Sequence, residues 1–254
     1  MNCYSKVLLD SIAREKAGLD YVCSEHDRYI LDMLFKDVNT YLNIDIHYIA
    51  ELDSLNLVGS GSIIAQYINK FESESVRSYL IPQIVSDKID NVEELVIDLY
   101  QKFKISYEYI SAAEKPAPAH IYTRYDTAIS TLKPKKLKMK LLDIVNSPRD
   151  VFYLPLTSQM IASWRLPEFK DLLLYCVKDG GITHEDVGLP NDNRKYYPPY
   201  EVITRQLKFI VINSLKYYPT NDTLNFIKKF LNEDDVDLSS CAEKSIAYII
   251  KRLE

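Results

Sequence analysis

The chain has 254 residues, 47% of them hydrophobic and 26% charged, a globular balance that excludes a disulfide-stapled miniprotein and disorder over most of its length. Six glycines and eleven prolines are too few for a many-turned sandwich or barrel, or for a doubly wound α/β sheet with its glycine loops, so composition points to helices. A formal charge of −5 argues against a surface that traps nucleic acid as a whole.

The first residues, MNCYSKVLLDSIAREK, lack a positive segment followed by an apolar stretch, and no apolar run reaches membrane-spanning length. The expectation is a cytoplasmic protein that neither enters nor crosses a membrane. Tyr29, Ile30, Met33, Leu34, Val38, Tyr41 and Leu42 then recur at helical spacing and predict an amphipathic helix. Gly59 and Gly61 break the chain, and Ser62 to Phe71 reads as helix through Ile63, Ile64, Tyr67, Ile68 and Phe71. Leu95, Val96, Leu99, Tyr100 and Phe103 form the next stripe. Further breaks come at Pro116, Pro118, Pro134, Pro148 and Pro167, then over Gly180 to Pro199, before a last-quarter stripe of Val202, Ile203, Leu207, Ile210, Val211 and Leu215. The whole is an all-α chain of about a dozen helices without strands, read as a single domain, 1–254, with a long internal loop at 180–199.

Three stretches share a pattern in which one helix ends in a polar turn and a second opens on a small apolar residue: Tyr67 to Val85, Leu141 to Ile161 and Phe226 to Ile249. In the last, Asp235, Leu238, Cys241, Ala242, Ser245, Ile246, Ala247 and Ile249 follow the order of an acidic turn residue, an aliphatic, small residues and an aliphatic pair. In the first, Val76 and Arg77 match the pair that opens the second helix of a HEAT unit. These segments resemble HEAT repeats. Val76 to Val151 is 75 residues and Val151 to Leu238 is 87, each close to two units of roughly 40. The resemblance implies an α-α superhelix of about six helix pairs, an armadillo-type array that offers a long surface instead of a deep closed core. An irregular antiparallel helical bundle is the alternative.

Residues that could carry chemistry are scattered. His26, His47, His120 and His184 show no metal-ligand spacing, and His184, Glu185 and Asp186 read as turn and capping residues. Cys3, Cys23, Cys176 and Cys241 form no CxxC and read as reduced, mostly buried thiols, so neither metal nor cofactor is expected. No GxSxG occurs, and Glu93, Glu94, Asp234 and Asp235 sit where carboxylates meet helix starts. No catalytic residue is assigned.

Two features stand out. Lys133, Lys135, Lys136, Lys138 and Lys140 fall in one short segment; from Lys115 to Arg149 eight basic residues face two acidic ones, a balance of +6 in a chain whose remainder carries −11. Such a cluster suits either a solvated face or a docking face for a protein with an acidic surface. Tyr196, Tyr197 and Tyr200, at the end of the 180–199 loop, would suit a binding edge; with 20 tyrosines in the chain, core and rim packing is the competing use.

Two functions follow as expectations. One is a non-catalytic protein-binding helical-repeat module, an adaptor or an inhibitor of the immunity-protein type that masks a partner. The other, suggested by HEAT-like alkylpurine DNA glycosylases, is an enzyme acting on alkylated duplex DNA, for which Trp164 and Glu168 are the available pair. Pro167 between them and the net acidity favour the first reading and argue against nucleic acid as partner.

Overall fold

Helices begin where short polar side chains can take up the amide hydrogens that a first turn leaves unpaired. Ser24, Ser73, Ser147, Thr220 and Asp235 each accept from an amide two or three residues on. The computed structural model describes residues 6–17, 23–55, 57, 59–108, 119–177, 185–187 and 200–254, and among these it contains fourteen α-helices, four short 3-10 turns and no strand. Several helices are only six to nine residues long. Four prolines act as starters: Pro148, Pro155 and Pro167 sit in the first turn of a helix, where the missing N–H costs nothing, and Pro134 precedes a 3-10 turn. No described helix is long and apolar enough to cross a membrane.

The chain divides into two compact units, Met1–Phe103 and Lys104–Glu254. The first contains α1 (Lys6–Lys16), α2 (Glu25–Leu42), α3 (Ile49–Leu55), α4 (Ser60–Tyr67) and α5 (Glu74–Ser86), and α6 (Val92–Glu108) spans the division. Ile30, Leu34 and Val38 of α2 enter its core with Ile64, Val76, Leu80 and Ile84. The stripe predicted on α2 is corrected in two places: Tyr29 and Tyr41 are 62% and 67% exposed. Tyr29 is turned about 100° from Ile30, away from Leu31 and Phe35, and Tyr41 lies in the last turn beyond Val38.

A recurring device closes these packed pairs. Carboxylates from one helix cap the start of another: Glu15 of α1 accepts from the amides of Ile49 and Ala50 at 2.9 and 3.0 Å, and Asp27 of α2 accepts from Glu72 and Ser73 at 2.8 and 3.0 Å. Asp87, just past α5, accepts from the Gly59 and Gly61 amides at the start of α4. Each is a charge-assisted hydrogen bond at the positive end of a helix. The two glycines serve this contact. Gly59 takes φ 96°, and a Cβ on Gly61 would sit 2.8 Å from the Asp87 carboxylate and the Gln83 carbonyl. Gly61 is therefore inside α4, as a close-approach residue.

The second unit holds α7 (Ala119–Leu132), α8 (Lys138–Ile144), α9 (Pro148–Tyr153), α10 (Pro155–Ser163), α11 (Pro167–Tyr175), α12 (Tyr200–Leu215), α13 (Asn221–Lys228) and α14 (Val236–Leu253). Within it α7 packs on α10, α10 on α12 and α12 on α14. The row is parallel, as its contacts show. Asp126, midway along α7, accepts from the Thr157 amide in the first turn of α10 at 2.7 Å, and Lys138, beyond the end of α7, reaches Trp164 at the end of α10. Between α12 and α14, Arg205 meets Asp235, Asn213 donates to the Cys241 sulfur at 3.1 Å and Tyr217 meets Tyr248 at 5.8 Å, again advancing together. The Tyr218 hydroxyl donates to the Leu166 carbonyl at 2.8 Å and joins the ends of α10 and α12. The row's four C-termini consequently share one edge.

At the heart of this unit lies a charged cluster. Lys104, 7% exposed, donates to the Asp150 carboxylate at 2.9 Å, to Asn146 Oδ1 at 3.1 Å and to the Ile144 carbonyl. Asp150, fully buried, also accepts from the Ser147 amide and hydroxyl, so one carboxylate both pairs with the ammonium and completes the cap of α9. In α14, Leu238 and Ile249 are buried, whereas Ile246 is only half-buried. Cys241, Ala242, Ser245 and Ile249 set the inward face, and Ile246 falls to its side at helical spacing. The predicted 180–199 loop lies outside the described residues except for a 3-10 turn, Glu185–Val187, whose Val187 is buried.

Candidate functional site, a basic turn beside Trp164

The lysine segment is a turn and a helix start. The chain leaves α7 through Lys133 in a left-handed conformation, φ 52°, passes buried Pro134, makes a 3-10 turn over Lys135–Leu137 and opens α8 at Lys138. Lys133, Lys135 and Lys136 are exposed, whereas Lys138 and Lys140 are half-buried. The five do not share one helix face. Lys138 extends its ammonium to 5.5 Å from the ring of Trp164, which closes α10, so the turn after α7 and the turn after α10 form one basic and aromatic surface with exposed Arg165. Exposed Met139 adds an apolar element.

Electrostatics set this surface apart. Lys133 complements the negative C-terminus of α7, but Lys138 and Lys140 stand in the first turn of α8, which holds no acidic residue and whose partial positive charge they oppose. Among the described residues, Lys133, Lys135, Lys136, Lys138 and Arg165 form no ion pair. The imbalance extends to whole units: residues 1–103 hold 9 Lys and Arg against 17 Asp and Glu, a net −8, and residues 104–254 hold 22 against 19, a net +3.

The tyrosine candidates do not join this surface. Tyr200 opens α12, at the far end of the row from the lysine turn, and is 37% exposed; Tyr196 and Tyr197 lie outside the described residues. Trp164 and Glu168 fall on different helices, since Trp164 ends α10 and Pro167 starts α11. Sequence reasoning weighed Trp164 only as a partner of Glu168 and missed its contact with Lys138. Basic and aromatic residues at the ends of predicted helices, as in SWRL, were the available signal.

Reactive groups elsewhere are held quiet. Burial raises the thiols of Cys23, Cys176 and Cys241, with Cys176 pushed up to about 12 by burial and by the Asp150 and Asp186 carboxylates. Each is protonated at neutral pH and a poor nucleophile. The Tyr122 hydroxyl is raised by burial, as is the Asp126 carboxyl, which the Thr157 and Leu156 amides partly restore. A cavity of about 420 Å³ in the first unit has Leu31 and Phe35 as apolar lining and Lys16, Arg28 and Asp32 as charges of both signs; Glu15, also lining it, is engaged by the α3 amides. No described group of three or more His, Cys, Asp or Glu side chains is placed to hold a metal ion. No protein-family model, curated protein or solved structure matches the chain.

Proposed function

We propose that the chain is a non-catalytic, HEAT-like protein-binding module that docks an acidic surface of a partner protein on its Lys133 to Lys140 turn. The observation that carries the docking site is the group of exposed lysines Lys133, Lys135 and Lys136, none of which forms an ion pair among the described residues. Beside them Lys138 stands in the first turn of α8, where a cation opposes the partial positive charge of the helix start. A binding role accounts for it: the exposed ammoniums raise the local potential and speed encounter with a negative patch. An inhibitor of the immunity type, acting in the cytoplasm where Cys23, Cys176 and Cys241 stay reduced, is the form we favour.

Two observations support the repeat reading. The parallel row α7, α10, α12, α14, with other helices between its members, is the arrangement that stacked helix pairs produce. The other is a local duplication. α4 runs through a 3-10 turn to Phe71 at φ −72°, ψ 140°, and two residues later Ser73 caps α5; α13 runs through a 3-10 turn to Glu233 at φ −70°, ψ 142°, and two residues later Asp235 caps α14. Three residues after each cap stands a buried aliphatic, Val76 or Leu238. The caps are 162 residues apart, about four periods of roughly 40.

The test is surface plasmon resonance on a partner recovered by affinity capture. The variant K135E/K136E/K138E should associate about tenfold more slowly at low salt and lose most of the salt dependence, with an unchanged melting temperature. An unaltered association rate would return these lysines to an ordinary solvated face.

A further inference from the structure

The lysine turn is the first of four basic clusters along one edge of the second unit. Because α7, α10, α12 and α14 lie parallel, the chain past each C-terminus emerges on the same side. After α7 come Lys133, Lys135 and Lys136; after α10, Trp164 and Arg165 with Lys138 over the ring. After α12 come Lys216 and Tyr217, and the last turns of α14 bring Tyr248, Lys251 and Arg252. The third and fourth clusters merge: Tyr217 and Tyr248 meet edge to face at 5.8 Å, Lys216 sits 5.4 and 5.9 Å from the two rings, and Arg252 lies 3.6 Å over Tyr248.

Helix dipoles account for part of this pattern, since cations suit C-termini. They do not account for its lack of neutralisation. Among the described residues Lys216, Lys251 and Arg252 meet no carboxylate, although Glu168 and Asp222 open the helices that leave this edge and Glu254 ends the chain. The opposite end of the α12 and α14 pair is treated differently: there Arg205 is bound by Asp235 and Asp237, and Lys208 by Glu233 at 2.7 Å. Cations are paired at one end and left open at the other.

We propose that this edge is a linear binding ledge for an extended acidic segment of a partner protein, anchored at one end by the lysine turn and at the other by Lys216 and Arg252. The inference rests on the docking site proposed above and extends it. Three interhelical spacings of about 8–10 Å make the ledge roughly 25–30 Å long, which an extended chain covers in about eight or nine residues. A polypeptide fits better than single-stranded nucleic acid. Arg252 covers Tyr248 and Lys138 lies over Trp164, so these rings hold cations in place and are not open platforms for bases. The stacked guanidinium keeps its N–H edges free for a carboxylate.

Fluorescence anisotropy with fluorescein-labelled oligoglutamate peptides of four and twelve residues, and with labelled single-stranded and duplex DNA of matched charge, tests this on the full chain at low salt. The longer peptide should bind at least about tenfold more tightly than the shorter, through the effective concentration that a second anchor provides. K216E/R252E and K135E/K136E should each remove that gain, with circular dichroism unchanged. If K216E/R252E leaves the longer peptide's affinity intact while K135E/K136E weakens it, the ledge is wrong and the lysine turn stands alone. If neither variant alters peptide binding, both the ledge and the docking site fall. Tighter binding of either DNA than of the longer peptide would overturn the assignment to an acidic polypeptide.

Discussion

Replacing Asp150 with alanine should destabilise the protein by about 3–5 kcal/mol, the largest effect expected of any single substitution discussed. The carboxylate is fully buried and serves Lys104, the Ser147 amide and hydroxyl and the Asn146 amide, so its loss takes a buried carboxylate partner from Lys104 and uncaps α9 together. Lys104 retains its hydrogen bonds to the Ile144 carbonyl and Asn146 Oδ1. The double variant Lys104→Met, Asp150→Ala should recover part of the loss, because no buried ammonium is then deprived of the Asp150 carboxylate and the broken cap of α9 is what remains. Urea unfolding followed by far-UV circular dichroism measures both. A single variant within about 1 kcal/mol of wild type would show that the pair contributes little beyond its desolvation cost.

Leu238→Ala should cost about 2–5 kcal/mol. Leu238 is 1% exposed, and its amide is fixed by the Asp235 carboxylate, so the side chain cannot move to fill the space that truncation leaves. The same helix supplies a control. Ile249 is fully buried and Ile246 is half-buried, so Ile249→Ala should approach the cost of Leu238→Ala, and Ile246→Ala should cost less than about half as much. Equal losses at Ile246 and Ile249 would mean that the face of α14 has been assigned wrongly.

The distinction between these isoleucines marks how far the sequence could be read. Apolar periodicity located α2, α6, α12 and α14 because a run of four or five turns repeats the inward position often enough to be seen, as in Ile203, Leu207, Ile210, Val211 and Leu215. It could not place Tyr29 or Ile246, which lie on the flank of a stripe where neighbours decide exposure. The short helices α8 to α11 were legible mainly through Pro148 and Pro167, since six to nine residues carry barely two turns of pattern. Carboxylates that cap a different helix, such as Asp27 and Glu15, leave no local signature: their partners lie 45 and 34 residues away. The site was read in the same partial way. Five lysines in eight residues are conspicuous as charge, but the contact of Lys138 with Trp164 is a product of tertiary structure.

Lysine acetylation footprinting, read by mass spectrometry on the protein free and bound to the captured partner, tests the central claim most directly. Docking on the basic turn predicts that the exposed Lys133, Lys135 and Lys136 become protected by about tenfold or more on binding, while Lys6, Lys36 and Lys88 of the acidic first unit keep their reactivity. Protection confined to Lys6, Lys36 and Lys88, with the turn unchanged, would contradict it.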